Sequence, residues 1–276
     1  MSGSQWKGKR AVVCGATAGL GRAFAIELAR QQVGHLTLVA RSSDGLQKLR
    51  SELLDQFASL DVICLPADLC VKEQLQQACE QLQQAGQRRV DLVVQAVGQS
   101  DRGRLLDLSS QRLHELIDTN VLSSLHAVQC FHPLMQPAGG NIVLVGSLAS
   151  LFAPRFLGGY AIAKHGLAAL AQQARLELAE VGIHVLLACP GPIVRDDSGT
   201  RYDQHAREGS VPDTARQPGA GAKIRGLDPE RLVREILQAA AAKQPRIIRP
   251  RKAQLLHWLS ALSGSLGDRL LRENSG

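Results

Sequence analysis

The stretch RAVVCGATAGLGRAFAIELAR, residues 10–30, decides the fold of this chain. An apolar run at 10–14 is followed at once by three glycines, Gly15, Gly19 and Gly21, and then by apolar residues at helical spacing. This order predicts a strand, a tight turn and a helix. A strand that is apolar throughout, without polar alternation, is buried on both faces, as in a parallel sheet.

The same strand and helix unit recurs along the 276 residues. After 10–14, further strand-like runs occupy 35–40, 61–66, 91–96, 141–146, 184–189 and 246–250. Helical patterns lie near 20–33, 44–57, 71–86, 109–135, 159–181 and 228–243. Such alternation predicts right-handed βαβ units. We therefore expect a single α/β domain over 1–276, with a doubly wound, Rossmann-like parallel sheet of about seven strands.

Two segments interrupt this alternation. Residues 192–227 are rich in Gly, Arg, Asp and Pro and are too long for a plain connection, so we expect a substrate-covering loop in which Arg201, Tyr202 and His205 are candidate contacts. Residues 252–271 carry leucines at helical spacing and predict a C-terminal amphipathic helix. That helix could pack on its own domain, on a partner subunit or on a membrane surface.

Composition narrows the classes of function. The net charge is +7, but Lys and Arg are dispersed and aromatic residues make up only 3%, which favours a small anionic ligand over a nucleic acid. The six cysteines form no CxxC pair and the histidines lack metal-ligand spacing, so we expect no metal and a reducing compartment. The first ten residues lack a signal-peptide core and no apolar stretch reaches membrane-spanning length, which predicts a cytoplasmic protein.

The glycine turn after the first strand predicts a dinucleotide site. Glycines there let backbone N–H groups approach a pyrophosphate, and the following helix N-terminus favours the anion. The alternative is a tight turn that binds nothing. The second strand ends in Arg41 and Ser42 rather than in a carboxylate, which favours NADP(H), with NAD(H) as the alternative, because a guanidinium can pair with a 2′-phosphate. Asp68 and Gly98 follow two further strands, whose ends point to the same crevice. The Asp68 carboxylate could accept from an adenine amino group, and Gly98 allows the close approach of a ribose.

A serine, a tyrosine and a lysine form the second motif. Tyr160 and Lys164 are four residues apart on one helix face, and Ser147 ends the fifth strand. A nearby ammonium favours phenolate and lowers the pKa of a tyrosine by roughly one to three units, so Tyr160 could exchange a proton with a carbonyl oxygen. Ser147 could hydrogen-bond the same oxygen. Taken alone, the pair is also typical of an exposed helix face.

Together these motifs resemble the short-chain dehydrogenase/reductase family. GxxxGxG matches its cofactor turn, and Ser147, Tyr160 and Lys164 match its S-x12-Y-x3-K pattern. The resemblance implies that Asn120 holds a helix bulge and a water in a proton relay, and that Lys164 binds the nicotinamide ribose. It also implies an NADP(H)-dependent carbonyl reductase or alcohol dehydrogenase, with a homodimer or homotetramer built through helices 109–135 and 159–181.

The predicted site follows from the motifs and the resemblance combined. The catalytic residues are Asn120, Ser147, Tyr160 and Lys164. The cofactor-binding residues are Gly15, Thr17, Ala18, Gly19, Leu20, Gly21, Arg41, Ser42, Asp68, Leu69, Ala96, Val97, Gly98, Asn120, Tyr160, Lys164, Pro190, Gly191 and Ile193.

Three sites in the sequence, one of them a four-residue motif, depart from the family pattern. Cys14 replaces a threonine, QAVG at 95–98 replaces NNAG and so loses two amides that tie the sheet together, and Arg195 stands where a threonine contacts the carboxamide.

The substrate is predicted only by class. Leu151, Phe152, Phe156 and Leu157 lie between the serine and the tyrosine, which favours an apolar carbonyl or alcohol, or else a packed interface. Two other functions compete with the enzyme: an NADP(H)-binding sensor without turnover, and a membrane- or protein-associating module that uses the C-terminal helix.

Overall fold

The computed structural model describes residues 4–87, 89–194 and 226–274. They contain one seven-stranded parallel sheet in the order β3-β2-β1-β4-β5-β6-β7. The strands are β1 (Arg10–Cys14), β2 (His35–Ala40), β3 (Asp61–Pro66), β4 (Leu92–Gln95), β5 (Gly140–Val145), β6 (Ile183–Pro190) and β7 (Arg246–Arg249). The predicted doubly wound sheet is confirmed. Chain order reverses between β1 and β4, where such sheets bind their ligands.

The helices lie where the periodicity predicts them, within three residues at each end, except over 109–135 and 252–271. They are α1 (Gly19–Arg30), α2 (Ser43–Gln56), α3 (Lys72–Gln84), α4 (Ser110–Ile117), α5 (Ser123–Phe131), α6 (Tyr160–Leu178), α7 (Pro229–Ala241), α8 (Arg251–Leu262) and α9 (Gly264–Asn274). The helix predicted at 109–135 is interrupted by a π-helical turn, Asp118–Leu122, between α4 and α5, and it ends in a 3-10 turn, His132–Met135.

The sheet is buried on both faces. Helices α1, α2 and α7 cover one face, and α3, α5 and α6 cover the other. Successive residues of one strand therefore enter different cores: Val13 packs with Phe24 and Leu28, whereas Val12 packs with Phe131 on the opposite side. Two-sided burial explains why the strands are apolar without alternation.

The prediction of one helix over 252–271 is wrong. Ser263 is extended, with φ −151° and ψ 112°, and it separates α8 from α9. Gly267 permits the return of the chain, since a Cβ atom at this position would lie 2.7 Å from Cβ of Ser260. The leucine periodicity continues across this break, which is why it suggested one helix.

The two ends of the segment 192–227 lie side by side. Ile193 forms an isolated bridge with Leu227, and the amide of Val194 donates to the carbonyl of Leu227 at 2.9 Å. Residues 195–225, with the candidate contacts Arg201, Tyr202 and His205 and the departure Arg195, lie outside the described residues. Within the described part, no helix has the length and apolarity needed to cross a bilayer.

Candidate active site

A cleft of about 2060 Å³ runs along the carboxyl ends of the strands. Pockets for one small ligand usually measure roughly 300–1,000 Å³, so this cleft has room for a dinucleotide and a second molecule. It is lined by the predicted residues Gly15, Thr17, Ala18, Gly19, Leu20, Arg41, Ser42, Asp68, Leu69, Ala96, Val97, Gly98, Ser147, Tyr160, Lys164, Pro190, Gly191 and Ile193. The remaining two, Gly21 and Asn120, pack behind lining residues, Gly21 behind Gly15 and Asn120 behind Gly98.

The glycine turn between β1 and α1 is required by close backbone packing. Gly15 has φ +77°, and a Cβ atom there would lie 3.0 Å from Cγ2 of Val97. A Cβ atom on Gly21 would lie 2.0 Å from the carbonyl oxygen of Gly15. A larger residue at either position would therefore displace the turn.

The N-terminus of α1 opens into this turn without a side-chain cap. Ala18 occupies the capping position and offers no acceptor to the first N–H groups of the helix. Those N–H groups and the helix dipole favour an anion at this end. The residues present therefore fit the pyrophosphate of a dinucleotide.

The end of β2 presents a cation to the cleft. Arg41 is exposed and lines the cleft, and Ser42 caps α2 by accepting from the amide of Gly45 at 3.1 Å. The nearest acid in the sequence, Asp44, is exposed in the first turn of α2. At the end of β3, Asp68 accepts from the amide of Cys70 at 2.9 Å, which fixes its carboxylate beside the cleft.

Lys164 is buried beneath Tyr160. Its side chain extends from the second turn of α6, its residue is only 3% exposed, and its Nζ atom lies 5.8 Å from the centroid of the Tyr160 ring. Nζ donates to the carbonyl of Val145 at 3.0 Å, which anchors the ammonium to the end of β5. Burial lowers the pKa of Lys164 from 10.5 to about 8. The ammonium thus remains largely charged at neutral pH, which lies not far below its pKa.

Asn120 and Lys164 meet at Gly98. A Cβ atom on Gly98 would lie 2.9 Å from Oδ1 of Asn120 and 3.1 Å from Nζ of Lys164. Asn120 is fully buried in the π-helical turn, and its Nδ2 atom donates to the carbonyls of Gln99 at 2.9 Å and Leu116 at 2.8 Å. The extra residue of the turn leaves the carbonyl of Leu116 to a side-chain donor, and the amide thereby holds the bulge in place.

Ser147 lies at the cleft wall directly after β5. It begins a 3-10 turn, Leu148–Ser150, and its Oγ atom accepts from the amide of Ala149 at 3.1 Å. In return, Oγ of Ser150 accepts from the amide of Ser147 at 3.2 Å. Because the first bond uses an oxygen lone pair, the hydroxyl hydrogen of Ser147 remains available to a ligand oxygen.

A buried ion pair holds the start of α6, and the sequence analysis missed it. Asp101 is 4% exposed and pairs with Arg112, Nη2 to Oδ1, at 3.1 Å. The other carboxylate oxygen accepts from the amide of Gly159 at 3.3 Å, immediately before Tyr160. Gly158, with φ +54°, makes room for it, since a Cβ atom there would lie 2.4 Å from Oδ2. Glycines 158 and 159 were the only signal in the sequence.

The predicted apolar wall is present in part. Phe152 and Leu157 line the cleft and are 6% and 7% exposed. Leu151 packs into the core instead, and Phe156 stacks against Arg155, whose guanidinium carbon lies 5.0 Å from the ring centroid. Leu148, Pro154 and Leu256 complete the wall, and sequence reasoning did not single them out.

Comparison with known families identifies the family to which a chain with this site belongs. The family model for short chain dehydrogenases matches residues 9–205. The chain belongs to this family.

Relatives in the short chain dehydrogenase family act on different substrates. Human "Dehydrogenase/reductase SDR family member 7" is 30% identical over 204 residues, or 69% of this chain, and D-beta-hydroxybutyrate dehydrogenase of Rhizobium meliloti is 26% identical over 83% of this chain and 82% of the relative. This chain spans only 59% of the human relative and 60% of its mouse counterpart. Alcohol dehydrogenase from Thermococcus sibiricus, solved with 5-hydroxy-NADP, superimposes with a TM-score of 0.69 at 26% identity, over 87% of this chain and 94% of that one.

One expected loss relative to the short chain dehydrogenase pattern does not occur. Gln95 replaces the first amide of the usual pair, and its Nε2 atom donates to Oγ of Ser123 at 3.0 Å. Ser124 in turn donates to the carbonyl of Asn120 at 3.1 Å. The longer side chain thus ties β4 to the start of α5, and the prediction that both amides are lost is wrong at Gln95.

Residues 4–87, 89–194 and 226–274 contain no group of three or more His, Cys, Asp and Glu placed to hold an ion. Cys14 and Cys189 lie at strand ends, and burial raises the pKa of Cys189 to about 12. These thiols serve as small apolar residues.

Proposed function

We propose that this chain is an NADP(H)-dependent oxidoreductase that interconverts an apolar carbonyl compound and its secondary alcohol, with Tyr160 as the acid and base. The observation that carries the proposal is the buried ammonium of Lys164 beneath Tyr160, at the edge of a cleft large enough for a dinucleotide.

The proton steps follow from the chain's own residues. Bound NADPH would supply the hydride. In the reduction direction Tyr160 gives its phenolic proton to the carbonyl oxygen, and the hydroxyl of Ser147 donates a hydrogen bond to the same oxygen. Lys164 stabilises the phenolate that remains, because its buried positive charge lies close to the ring. Asn120 and Lys164 both lie against Gly98, and the family resemblance implies that Asn120 holds a water in the proton relay to Lys164.

A preference for NADP(H) over NAD(H) is supported by Arg41. Its guanidinium lines the cleft at the end of β2, where an NAD site would place a carboxylate. The archaeal relative was solved with an NADP derivative. Arg41→Ala should raise KM for NADPH by about tenfold or more, because one charge-assisted hydrogen-bonded pair is lost. The same substitution should change KM for NADH little. Equal changes for both cofactors would contradict the preference.

The apolar substrate class is supported by the cleft wall. Phe152, Leu157 and Leu256 lie on the side of Ser147 and Tyr160. An apolar ligand would be desolvated there, and the serine and tyrosine hydroxyls would fix its carbonyl oxygen. The described ends of the 192–227 segment border the same space, in keeping with a substrate-covering role for that segment.

Turnover in the Tyr160→Phe variant tests the enzyme proposal. The full chain is assayed for NADPH oxidation with aldehydes, quinones and apolar ketones, and NADPH binding is measured by fluorescence. We expect binding close to that of the unmodified chain and a loss of kcat of about 10²–10⁴. The rival sensor without turnover predicts that both proteins bind NADPH and that neither reduces any carbonyl compound.

Assembly and location remain proposals. We expect a homodimer or homotetramer through α4–α5 and α6, supported by Ile162 and Leu176, which are 44% and 68% exposed on α6. The cytoplasm is the proposed location. Sedimentation velocity of the full chain tests the assembly, and a monomer at all concentrations would contradict it.

A further inference from the structure

A second cavity, of about 430 Å³, lies between the end of α6, β7 and α8. We call it the basic groove and define it by Arg175, Arg246, Arg249, His257 and Trp258, which line it. The glutamines and apolar residues that complete its described lining include no carboxylate.

Positive charge in the basic groove is poorly compensated. Burial and the charge of Arg246 lower the pKa of Arg175. Arg246 donates to Nε2 of His257 at 3.0 Å, and burial and the charge of Arg246 lower the pKa of that histidine, which supplies no negative charge to the groove. Among the described residues, Arg249 is the one cation of the groove with an acidic partner, Glu235 of α7. Like charges half-removed from water repel each other and favour an anion between them.

An apolar stripe borders the basic groove. Leu255, Trp258 and Leu262 of α8 are 65%, 63% and 82% exposed. At 100° per residue they fall within one narrow face of the helix, and Arg251 falls on the same face. Trp258 belongs to both features, so cations and apolar side chains meet at one surface.

The other side of α8 faces the active-site cleft. Lys252, Ala253 and Leu256 line that cleft. The helix therefore separates the exposed apolar stripe from the space proposed for the substrate.

We propose that the apolar stripe and the basic groove bind the surface of an anionic phospholipid bilayer, with a lipid phosphate in the groove and the stripe among the acyl chains. An anionic amphiphile satisfies both features at once. A second copy of the chain fits less well, since a twofold contact would bring two uncompensated basic grooves together. This proposal does not depend on the reaction assigned to the cleft.

Tryptophan fluorescence of the full chain with vesicles gives a direct test. The chain has two tryptophans, Trp258 in the stripe and Trp6, which is 5% exposed. We expect a blue shift with phosphatidylcholine vesicles that contain phosphatidylserine, loss of the shift at high salt, and no shift in Trp258→Phe. Equal binding to pure phosphatidylcholine, or none to the anionic vesicles, would overturn the proposal.

Variants separate the two features. Arg175→Gln should weaken binding to anionic vesicles about fivefold, and Leu255→Ser with Leu262→Ser about tenfold or more. Lys48→Gln on α2 and Leu106→Ser, an exposed leucine outside both cavities, serve as matched controls and should change nothing.

Two further arms identify the other occupants. If the chain binds no vesicles but inorganic phosphate shifts the emission of Trp258, the groove would be assigned to a soluble phosphate ester instead. A fall in sedimentation coefficient caused by the two leucine substitutions, again without vesicle binding, would assign the stripe to a second copy. Either result would overturn the membrane proposal.

Discussion

The two ends of helix α6 use positive charge in opposite ways. At its start, Lys164 is fully buried, hydrogen-bonded to Val145 and 5.8 Å from the ring centre of Tyr160. At its end, Arg175 is half-buried and faces a second guanidinium, that of Arg246, in an open groove.

The difference is one of geometry and screening. Burial fixes the ammonium of Lys164 in one position and strengthens its field on Tyr160, which suits a proton transfer with one geometry. The half-exposed guanidinium at the other end is screened by solvent, so it attracts anions without fixing their position. Proton transfer beside Lys164 should therefore be sensitive to small displacements, whereas anion attraction by Arg175 should not.

Lys164→Met should have the largest effect on turnover. We expect kcat to fall about 10²–10⁴-fold, since the phenolate of Tyr160 loses its stabilising charge. The measurement is steady-state NADPH oxidation. A near-normal rate would remove Lys164 from the mechanism.

The same variant should be more stable than the unmodified apo-protein at pH 7. Lowering the pKa from 10.5 to about 8 corresponds to on the order of 3 kcal/mol of cost for the buried charge. Between pH 8 and 10.5 the unfolded chain binds more protons at Lys164 than the folded chain, so the unmodified protein gains stability with rising pH. Denaturant unfolding should show that the difference in free energy of unfolding between Lys164→Met and the unmodified chain narrows from pH 8 to 10.5. The exposed control Lys48→Met should have the same pH dependence as the unmodified chain.

Gly98→Ala should lower kcat by about 10²-fold. The added methyl group would lie 2.9 Å from Oδ1 of Asn120 and 3.1 Å from Nζ of Lys164, so both must move. Gly103→Ala is the matched control, because nothing lies within 4 Å of a Cβ atom there. Equal kcat in the two variants would show that these positions tolerate displacement.

Asp101→Asn should reduce kcat about tenfold with little change in KM. The amide oxygen can still accept from the amide of Gly159, but the charge pairing with Arg112 is lost and the start of α6 loosens. Asp107→Asn makes the same change in an exposed pair with Arg104 and should be neutral. A fall in stability without a change in kcat would limit Asp101 to a structural role.

Arg175→Gln should have the smallest effect. Its kcat should equal that of the unmodified chain, because the basic groove lies outside the cleft. Burial and the charges of Lys243 and Arg175 lower the pKa of His184, so that pKa should rise in the variant. The pKa of His257, which burial and the charge of Arg246 lower, should change less. NMR titration of the histidines measures both, and a loss of turnover would break the contrast between the two ends.

Local patterns were enough to predict the sheet and most of the cleft. Apolar runs, glycine spacing and the separation of Tyr160 and Lys164 are features of neighbouring residues, and the parallel sheet then brings the strand ends to one edge. The doubly wound parallel sheet and the shared cleft follow from these patterns together.

Features that depend on tertiary contacts could not be predicted. Asp101 and Arg112 meet because a loop after β4 lies against the start of α6. The break at Ser263 interrupts a leucine pattern that continues through it, and the packing of Gly267 against Ser260 is not encoded locally. Gln95 keeps its hydrogen bonds because Ser123 and Ser124 of α5 lie next to it.

The central claim is that the buried ammonium makes Tyr160 acidic enough to exchange a proton. The chain has only one other tyrosine, Tyr202, so Tyr202→Phe leaves a single phenol to follow by ultraviolet difference absorbance. In that background the account predicts that Tyr160 ionises with a pKa below the ordinary value of about 10, and that Lys164→Met returns it to that value or above. An identical titration with and without Lys164 would contradict the account.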